Sequence, residues 1–372
     1  MQKSYIWEHS GWPYLTWDNK ELSPLLGDVR NRQGQLIGKT SLISPDIRRQ
    51  AMHDVAVSDV MASARLEGAD LDEALVQAEI GRIIAKKRFA ILPTDDPSIG
   101  GAQVFVDAIN NFKADISEMR LISWHNSLAI NKIDSDSILP SENILLSSTP
   151  VKHVERKMEY QKIPLPPDVP KQMLNFIQWL NTKHHTDPVI KAGVAYLWFL
   201  IIRPFETDNG RIARTIADVF LSRADNLPER YYDLAAQIDR DRDQYYNIIQ
   251  YTQTGGLDVT EWLRWFMYAI LAALNHAEDD LIRIINKSRF YDQHRLTSLN
   301  DRQIRMINLL WDNRDLYLTT TSWANRNNCS SDTALRDIQD LIAKSILIKS
   351  RLGGRSTSYC LNNKEKFSPL IK

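Results

Sequence analysis

The chain has 372 residues, 43% hydrophobic and 25% charged, enough apolar material for a sizeable core and for two or three domains. Its 46 Lys and Arg balance 46 Asp and Glu, so bulk charge gives no reason to expect a polyanionic partner. Two cysteines, Cys329 and Cys360, exclude a disulfide framework and a cysteine-based zinc site, and fit a reducing compartment.

The first twenty residues carry no apolar run of signal length, and the longest apolar stretches are broken by Arg, Asp or Pro. A cytoplasmic location with no membrane partner is therefore expected. Trp7, Trp12 and Trp17 sit among turn residues, and Leu25, Leu26, Val29, Leu36 and Ile37 follow near helical spacing, interrupted by Gly34. The tryptophans are expected to pack on these helices. Residues 44–92 read as helical, with a break at Glu67-Gly68-Ala69-Asp70. There Gly68 reads as a helix C-cap and Asp70 as the next N-cap. Residues 102–132 are again helical in pattern. Residues 133–168 lose that periodicity, and the polar, strand-like run that ends them in prolines predicts a hairpin or flap.

Helical pattern resumes over residues 169–181. Asp187-Pro188 reads as an N-cap followed by a proline at the first helical position. The helix it opens ends at "RPF", residues 203–205. After the short polar loop Glu206-Thr207-Asp208, a second helix starts at Asn209-Gly210-Arg211. Helices continue to about Ser288. Residues 296–372 read as helix, helix, helix and hairpin, the order of a winged helix-turn-helix. They hold 12 Lys and Arg against 7 Asp and Glu, so the neutral total hides a basic tail.

The loop before Asn209 is the chemically informative segment. A helix N-terminus presents free backbone N–H groups and the positive end of the helix dipole, and so favours anions, phosphates above all. Gly210 permits close approach of a ligand to the backbone. Arg211 and Arg214, three residues apart, place two forked donors near that end.

The run "RPFETDNGRIAR", residues 203–214, resembles the motif of the Fic family, His-Pro-Phe-x-(Asp/Glu)-(Gly/Ala)-Asn-Gly-Arg-x-x-Arg. Pro204, Phe205, Asn209, Gly210, Arg211 and Arg214 match it. The Trp-rich N-terminal region and the winged-helix tail also resemble domains that flank Fic domains. The resemblance implies a mainly α protein: a helical N-terminal region over 1–95, a Fic-type helical bundle with a small β-hairpin flap over 96–290, and a winged helix over 296–372. It implies transfer of AMP from ATP to a hydroxyl of a protein target, with ATP held at Asn209, Gly210, Arg211 and Arg214, and a homodimer as a family-level expectation. "SARLEG", residues 63–68, resembles the family's inhibitory motif (Ser/Thr)-x-x-x-Glu-(Gly/Asn). By that likeness Ser63, Glu67 and Gly68 form an inhibitory element, with Glu67 paired to Arg214, where it takes the guanidinium meant for a γ-phosphate.

Two positions depart from the pattern. The family histidine, general base toward the target hydroxyl, is replaced at the catalytic position by Arg203, which has no acceptor and stays protonated. The acidic residue that holds Mg²⁺ is replaced by Thr207, with Asp208 one place later and Glu206 one place earlier; a hydroxyl is a poor substitute for that carboxylate. A catalytically inactive nucleotide-binding regulator is thus the alternative to an autoinhibited adenylyltransferase. A DNA-binding regulator is a third, with residues 331–343 as the groove helix and Arg326, Arg336, Lys349, Arg351 and Arg355 as phosphate contacts, opposed by Asp332, Asp337 and Asp340. Gln237 and Tyr245 or Tyr246 read first as parts of a core helix and second as an adenine pocket. His125, His184 and His185 form no metal constellation and read as structural or surface residues.

Overall fold

The computed structural model describes residues 4–85, 91–128, 164–183, 185–313, 316–350 and 357–362. Almost all of the expected flap lies outside them, as do His184, Arg351 and Arg355. The chain divides into two compact units, Met1–Glu278 and Asp279–Lys372. The architecture is mainly α, with one small antiparallel sheet.

The first unit begins with α1 (Asn19–Ser41), capped by Asp18, whose carboxylate accepts from the Lys20 and Glu21 N–H groups. α1 runs straight through Gly34, against expectation. A helical glycine costs only about 1 kcal/mol relative to alanine, and buried Val29 and Leu36 on either side outweigh that. α2 (Pro45–Leu66) follows, started by Ser44 and a proline at its first position. It ends at Glu67, with Gly68 left-handed at φ +76°, which a residue with a Cβ adopts only at a cost.

The next helix, α3 (Glu73–Ile84), is capped by Asp72 and not by Asp70. Asp72 accepts from the Ala74 and Leu75 N–H groups, and its own N–H is held by Ser98 Oγ at 3.0 Å. That tertiary contact chooses between two aspartates that look alike in sequence. The 102–132 helical stretch is in fact two helices, α4 (Pro97–Asn110) and α5 (Glu118–Leu128). α2, α3 and α4 share an apolar cluster that includes Val57, Val60, Ile80 and Phe105.

α6 (Val169–Asn181) and α7 (Pro188–Ile202) start where expected, capped by Asp168 and Asp187. Every residue of α7 after Pro188 is buried, as an all-round apolar helix must be in a globular protein. Even Lys191 is enclosed; its ammonium donates to the Leu180 and Thr182 carbonyls, both at 2.9 Å, closing the end of α6. α7 packs along α8 (Asn209–Asp225). Then come α9 (Leu234–Arg240), α10 (Arg242–Gln253) and α11 (Thr260–Gln293). Trp12 contacts α6 and α7, outside the stretch around residues 25–37 on which the tryptophans were expected to pack. Its indole N–H donates to Gln172 at 2.9 Å, and its ring meets Trp198 edge-on.

The second unit contains the end of α11, then α12 (Asp301–Asp312), β1 (Leu318–Thr319), α13 (Thr320–Asn327), α14 (Ser331–Ala343), β2 (Leu347–Lys349) and β3 (Ser358–Leu361). Its sheet order is β1-β3-β2, all antiparallel. The three helices and the terminal hairpin match the sequence pattern. β1 is new; two residues are too few to show a period of two. Trp323, Ile338, Phe290 and Met306 centre this unit's core.

Glycines separate the helices that must touch from those that need not. A Cβ on Gly100 of α4 would lie 1.8 Å from the Ser127 carbonyl oxygen of α5, whereas one on Gly34 meets nothing within 4 Å. Gly100→Ala is therefore expected to lower the stability of the first unit by about 1–3 kcal/mol through overpacking. Gly34→Ala is expected to raise it by up to about 1 kcal/mol. Urea unfolding of both variants checks the contrast.

Candidate functional site

The α7–α8 connection is built on two left-handed residues. Arg203, the C-cap of α7, has φ +50°, and Asp208, the N-cap of α8, has φ +60°. Non-glycine residues enter this region at a cost that the surrounding structure must cover. Asn209 supplies much of that support. Its Oδ1 accepts from the Phe205 N–H at 3.0 Å, and its Nδ2 donates to the Phe205 carbonyl at 2.7 Å. One side chain thus closes the loop and satisfies both polar groups of a buried peptide unit. Phe205 is pinned from below by His125, whose ring stacks on it at 4.3 Å and 14°. Burial holds the His125 imidazole below its usual range, although Asp208 and Glu206 pull the other way.

The two arginines of α8 part company. Arg211, 4% exposed, donates to Asp208 Oδ1 at 3.1 Å and to the Leu128 carbonyl at 3.5 Å. Arg214, 2% exposed, is clasped by α2. Its Nε donates to Ser63 Oγ at 2.8 Å, and its Nη2 donates to the Ser63 carbonyl at 2.9 Å and to Glu67 Oε1 at 3.1 Å. Its Nη1 reaches the Tyr196 hydroxyl of α7 at 3.4 Å. All three guanidinium nitrogens are engaged. Ser63 and Glu67 lie one helical turn apart, so one face of α2 delivers both, and Gly68 lets the chain turn away immediately after.

The Glu67 carboxylate also covers Gly210. A Cβ on that glycine would lie 1.8 Å from Glu67 Oε1 and 2.6 Å from its Cδ. An anion therefore already sits against the first turn of α8, where N–H groups and the helix dipole favour one. The chemistry of this seat fits a phosphate, with Gly210 giving access and Arg211 and Arg214 at its sides.

The residues offered to a metal fit less well. Asp208 Oδ1 is taken by Arg211, and Oδ2 accepts from the Thr207 hydroxyl at 2.9 Å. Among the described residues no group of three His, Cys, Asp or Glu side chains can hold a metal ion. A single carboxylate, already neutralised by an arginine, does not fit Mg²⁺, which is held through carboxylates left free to face it.

Other residues close around the site: Arg65, which the sequence did not single out, and Tyr245, Tyr246 and Gln237, which it reads first as core helix and second as an adenine pocket. Tyr246 donates to the Leu66 carbonyl at 2.7 Å and so caps the end of α2. Arg65 pairs with Asp239 at 3.1 Å, tying the same turn to α9. Tyr245 is fully buried against Tyr196, their hydroxyls 2.9 Å apart. Gln237 donates to Asp241 at 2.6 Å. In the second unit, Asp337 holds Arg302 and Asn300, and Asp340 accepts from Gln303 at 2.7 Å. Asp337 is buried toward α12, so the objection to an exposed basic face rests on Asp332 and on Asp340, whose side chain is 45% exposed. Arg326, Arg336 and Lys349 are exposed.

Because Asn209 alone satisfies the Phe205 peptide, Asn209→Ala is expected to cost about 1–3 kcal/mol by leaving a buried donor and acceptor unmet. Asn209→Asp keeps the acceptor and is expected to cost less. Thermal unfolding of the two variants orders them.

Comparison with known proteins bears on this geometry. Residues 5–84 match a domain of unknown function, DUF4172, and residues 115–221 match the Fic/DOC family. Among solved structures, a Fic family protein from Desulfovibrio desulfuricans is similar at 18% identity and TM-score 0.47, over 92% of this chain and 97% of that one. Fic-1 from C. elegans is similar at 18% identity and TM-score 0.44, over 73% and 76%. A Fic domain-containing signaling protein from Bacteroides thetaiotaomicron is similar at 17% identity and TM-score 0.41, over 68% and 95%. No described helix is long and apolar enough to cross a membrane. With the loop of residues 203–214 inside the matched segment, residues 115–221 are a Fic/DOC domain.

Proposed function

We propose that the chain binds ATP by its phosphates at the first turn of α8, and that Glu67 holds this seat closed at rest. The family generally transfers AMP or other nucleotide groups to proteins. AMP transfer to a hydroxyl of a protein target is the reading on which the site is interpreted. The observation that carries it is the double engagement of Glu67, paired with Arg214 at 3.1 Å and seated on Gly210. A terminal phosphate needs the same guanidinium and the same helix end. It is excluded while the carboxylate is there, by occupancy and by like charge.

The residues divide the work. Asn209 fixes the loop, Gly210 opens it, and Arg211 and Arg214 supply positive charge. Arg203 has no lone pair to accept a proton from an attacking hydroxyl. Loss of a positioned base typically costs about 10²- to 10⁴-fold in rate. That loss, and the engagement of Asp208 by Arg211, favour a second reading, a regulator that holds nucleotide without consuming it.

The second unit we read as a winged helix, from its order helix, strand, helix, helix, strand, strand. The burial of Asp337 is compatible with a nucleic-acid contact through its exposed cations, while the half-exposed Asp340 opposes it.

Labelling with ATP carrying a marked α-phosphate separates the two main readings. The natural chain is expected to label itself or a partner faintly. Glu67→Gly alone is expected to raise labelling little, because the base is still missing. Glu67→Gly combined with Arg203→His and Thr207→Asp is expected to raise it by about 10²- to 10⁴-fold. Strong labelling with Arg203 in place contradicts the assigned lack of a base. No labelling in the triple variant contradicts transferase ancestry at this site.

A further inference from the structure

The face of α2 that carries Ser63 and Glu67 extends one turn further back, to Asp59. Residues 59, 63 and 67 form one stripe, and α8 presents 210, 214 and 218 at the same spacing. The stripes meet in reverse order. Glu67 lies on Gly210, Ser63 holds Arg214, and Asp59 faces Asp218. The first two pairings are attractive. The third sets acid against acid, both 4% exposed.

The surroundings of Asp59 make this more acute. Its Oδ2 accepts from the Ala235 N–H at 3.3 Å at the start of α9. Beside it stands Asp233, the N-cap of α9, whose Oδ1 accepts from the Ala236 N–H at 2.7 Å. Asp233 Oδ2 is sealed from solvent and accepts no hydrogen bond from an N–H or O–H of the described residues. The groups facing this point are Ser58 from α2, Asp218 and Arg214 from α8, Asp225 at the end of α8, and Arg230 from the loop that follows. Arg214 is committed to Glu67, and Arg230 pairs with Asp218 at 3.3 Å. Arg230 is the one cation near the Asp59–Asp233 pair among the described residues; its charge reaches Asp59 but does not outweigh burial and the neighbouring acids. Two adjacent buried carboxyls without a cation of their own favour sharing a proton. The apolar cluster between α2 and α9 is small, Ala62 against Ala235 and Ala236, so the acids contribute to holding these two helices together, while Val57 and Val60 anchor α2 against α3 and α4.

We propose that a proton shared by Asp59 and Asp233 locks α2 against α8 and α9, and that its loss to solvent frees the helix end that carries Ser63 and Glu67. The proposal rests on the reading of Glu67 as the gate only in its consequence for nucleotide; the lock itself does not. The titration range agrees with a switch completed near neutrality. Burial, reinforced by the Asp218 charge, pushes Asp59 up to about 7. Burial, then the Asp59 charge, raises Asp233 well above the usual carboxylate range. Burial pushes Asp218 up to about 6, with Arg230 opposing. A raised carboxyl pKa in the docked state means that docking takes up the proton. That advantage is complete below the ordinary carboxylate range near about pH 4, shrinks as pH rises from there toward about 7, and is gone above it.

Hydrogen exchange of the full chain tests the lock directly. In the natural protein, exchange over residues 59–68, corrected for the intrinsic rate, is expected to quicken by up to about tenfold per pH unit between about pH 4.5 and 7, the limit for one proton, and to level off above that. α7 is expected to stay protected throughout. Asp59→Asn supplies an amide donor to Asp233 without a titrating proton, and is expected to flatten the dependence. Asp233→Asn does the same from the other side and keeps the helix cap. A pH-independent α2 in the natural chain overturns the proposal, as does an unchanged slope in both variants. Nucleotide affinity read in parallel isolates the gate: pH-dependent exchange with unchanged affinity upholds the proton lock and removes only Glu67 as the barrier to nucleotide.

Discussion

The structure around the site depends on one guanidinium. Arg214 is buried, and a buried charge left unpaired costs several kcal/mol. It avoids that cost by engaging three helices at once: Ser63 and Glu67 at the end of α2, Tyr196 in the middle of α7, and its own α8. The N-terminal region that matches DUF4172 and the Fic/DOC domain are thereby joined at the point where a phosphate would bind. An arginine suits this joint because its planar fork serves several acceptors in fixed directions. A lysine would supply the charge without the geometry.

Two glycines make the joint possible. Gly210 has no Cβ, so the Glu67 carboxylate can lie directly on the first turn of α8. Gly68 adopts φ +76°, so α2 can stop one residue after its last regular turn with Glu67 still on the face of Ser63. On the proposed function, the helix end receives an anion in either state, the protein's own carboxylate or a ligand's phosphate. The exchange of one for the other is then a competition between two anions for one seat, and the energy of the seat itself largely cancels. What decides the competition is how firmly α2 is held elsewhere: by the Tyr246 cap on Leu66, by the Arg65–Asp239 pair, and by the acids one turn before Ser63.

Much of this arrangement was legible in the sequence. The start of α7 was marked by Asp187-Pro188, because capping is a local event written in neighbouring residues; α6 was marked by the return of helical periodicity at Val169, and α8 by Asn209-Gly210-Arg211, without a side-chain cap. The Glu67–Arg214 pairing was implied by the resemblance of residues 63–68 to the family's inhibitory motif. The features that escaped are those decided at long range. Ser98 selects Asp72 over Asp70 as the cap of α3, and Gln172 draws Trp12 to α6. His125 reads as an ordinary residue until Phe205 is found stacked on it. Asp59 gives no hint that it faces two further acids, because Asp218 and Asp233 belong to other elements far along the chain. Periodicity reveals which face of a helix is buried, but not what that face meets.

The central claim is that Glu67 and a nucleotide's phosphates compete for Arg214 and the first turn of α8. Calorimetric titration of the natural chain and of Glu67→Gly with a non-hydrolysable ATP analogue tests it most directly. The account predicts tighter binding to the variant by about 10- to 100-fold, a difference of about 1.4–2.8 kcal/mol. Equal affinity in the two proteins, with both folded, would contradict it.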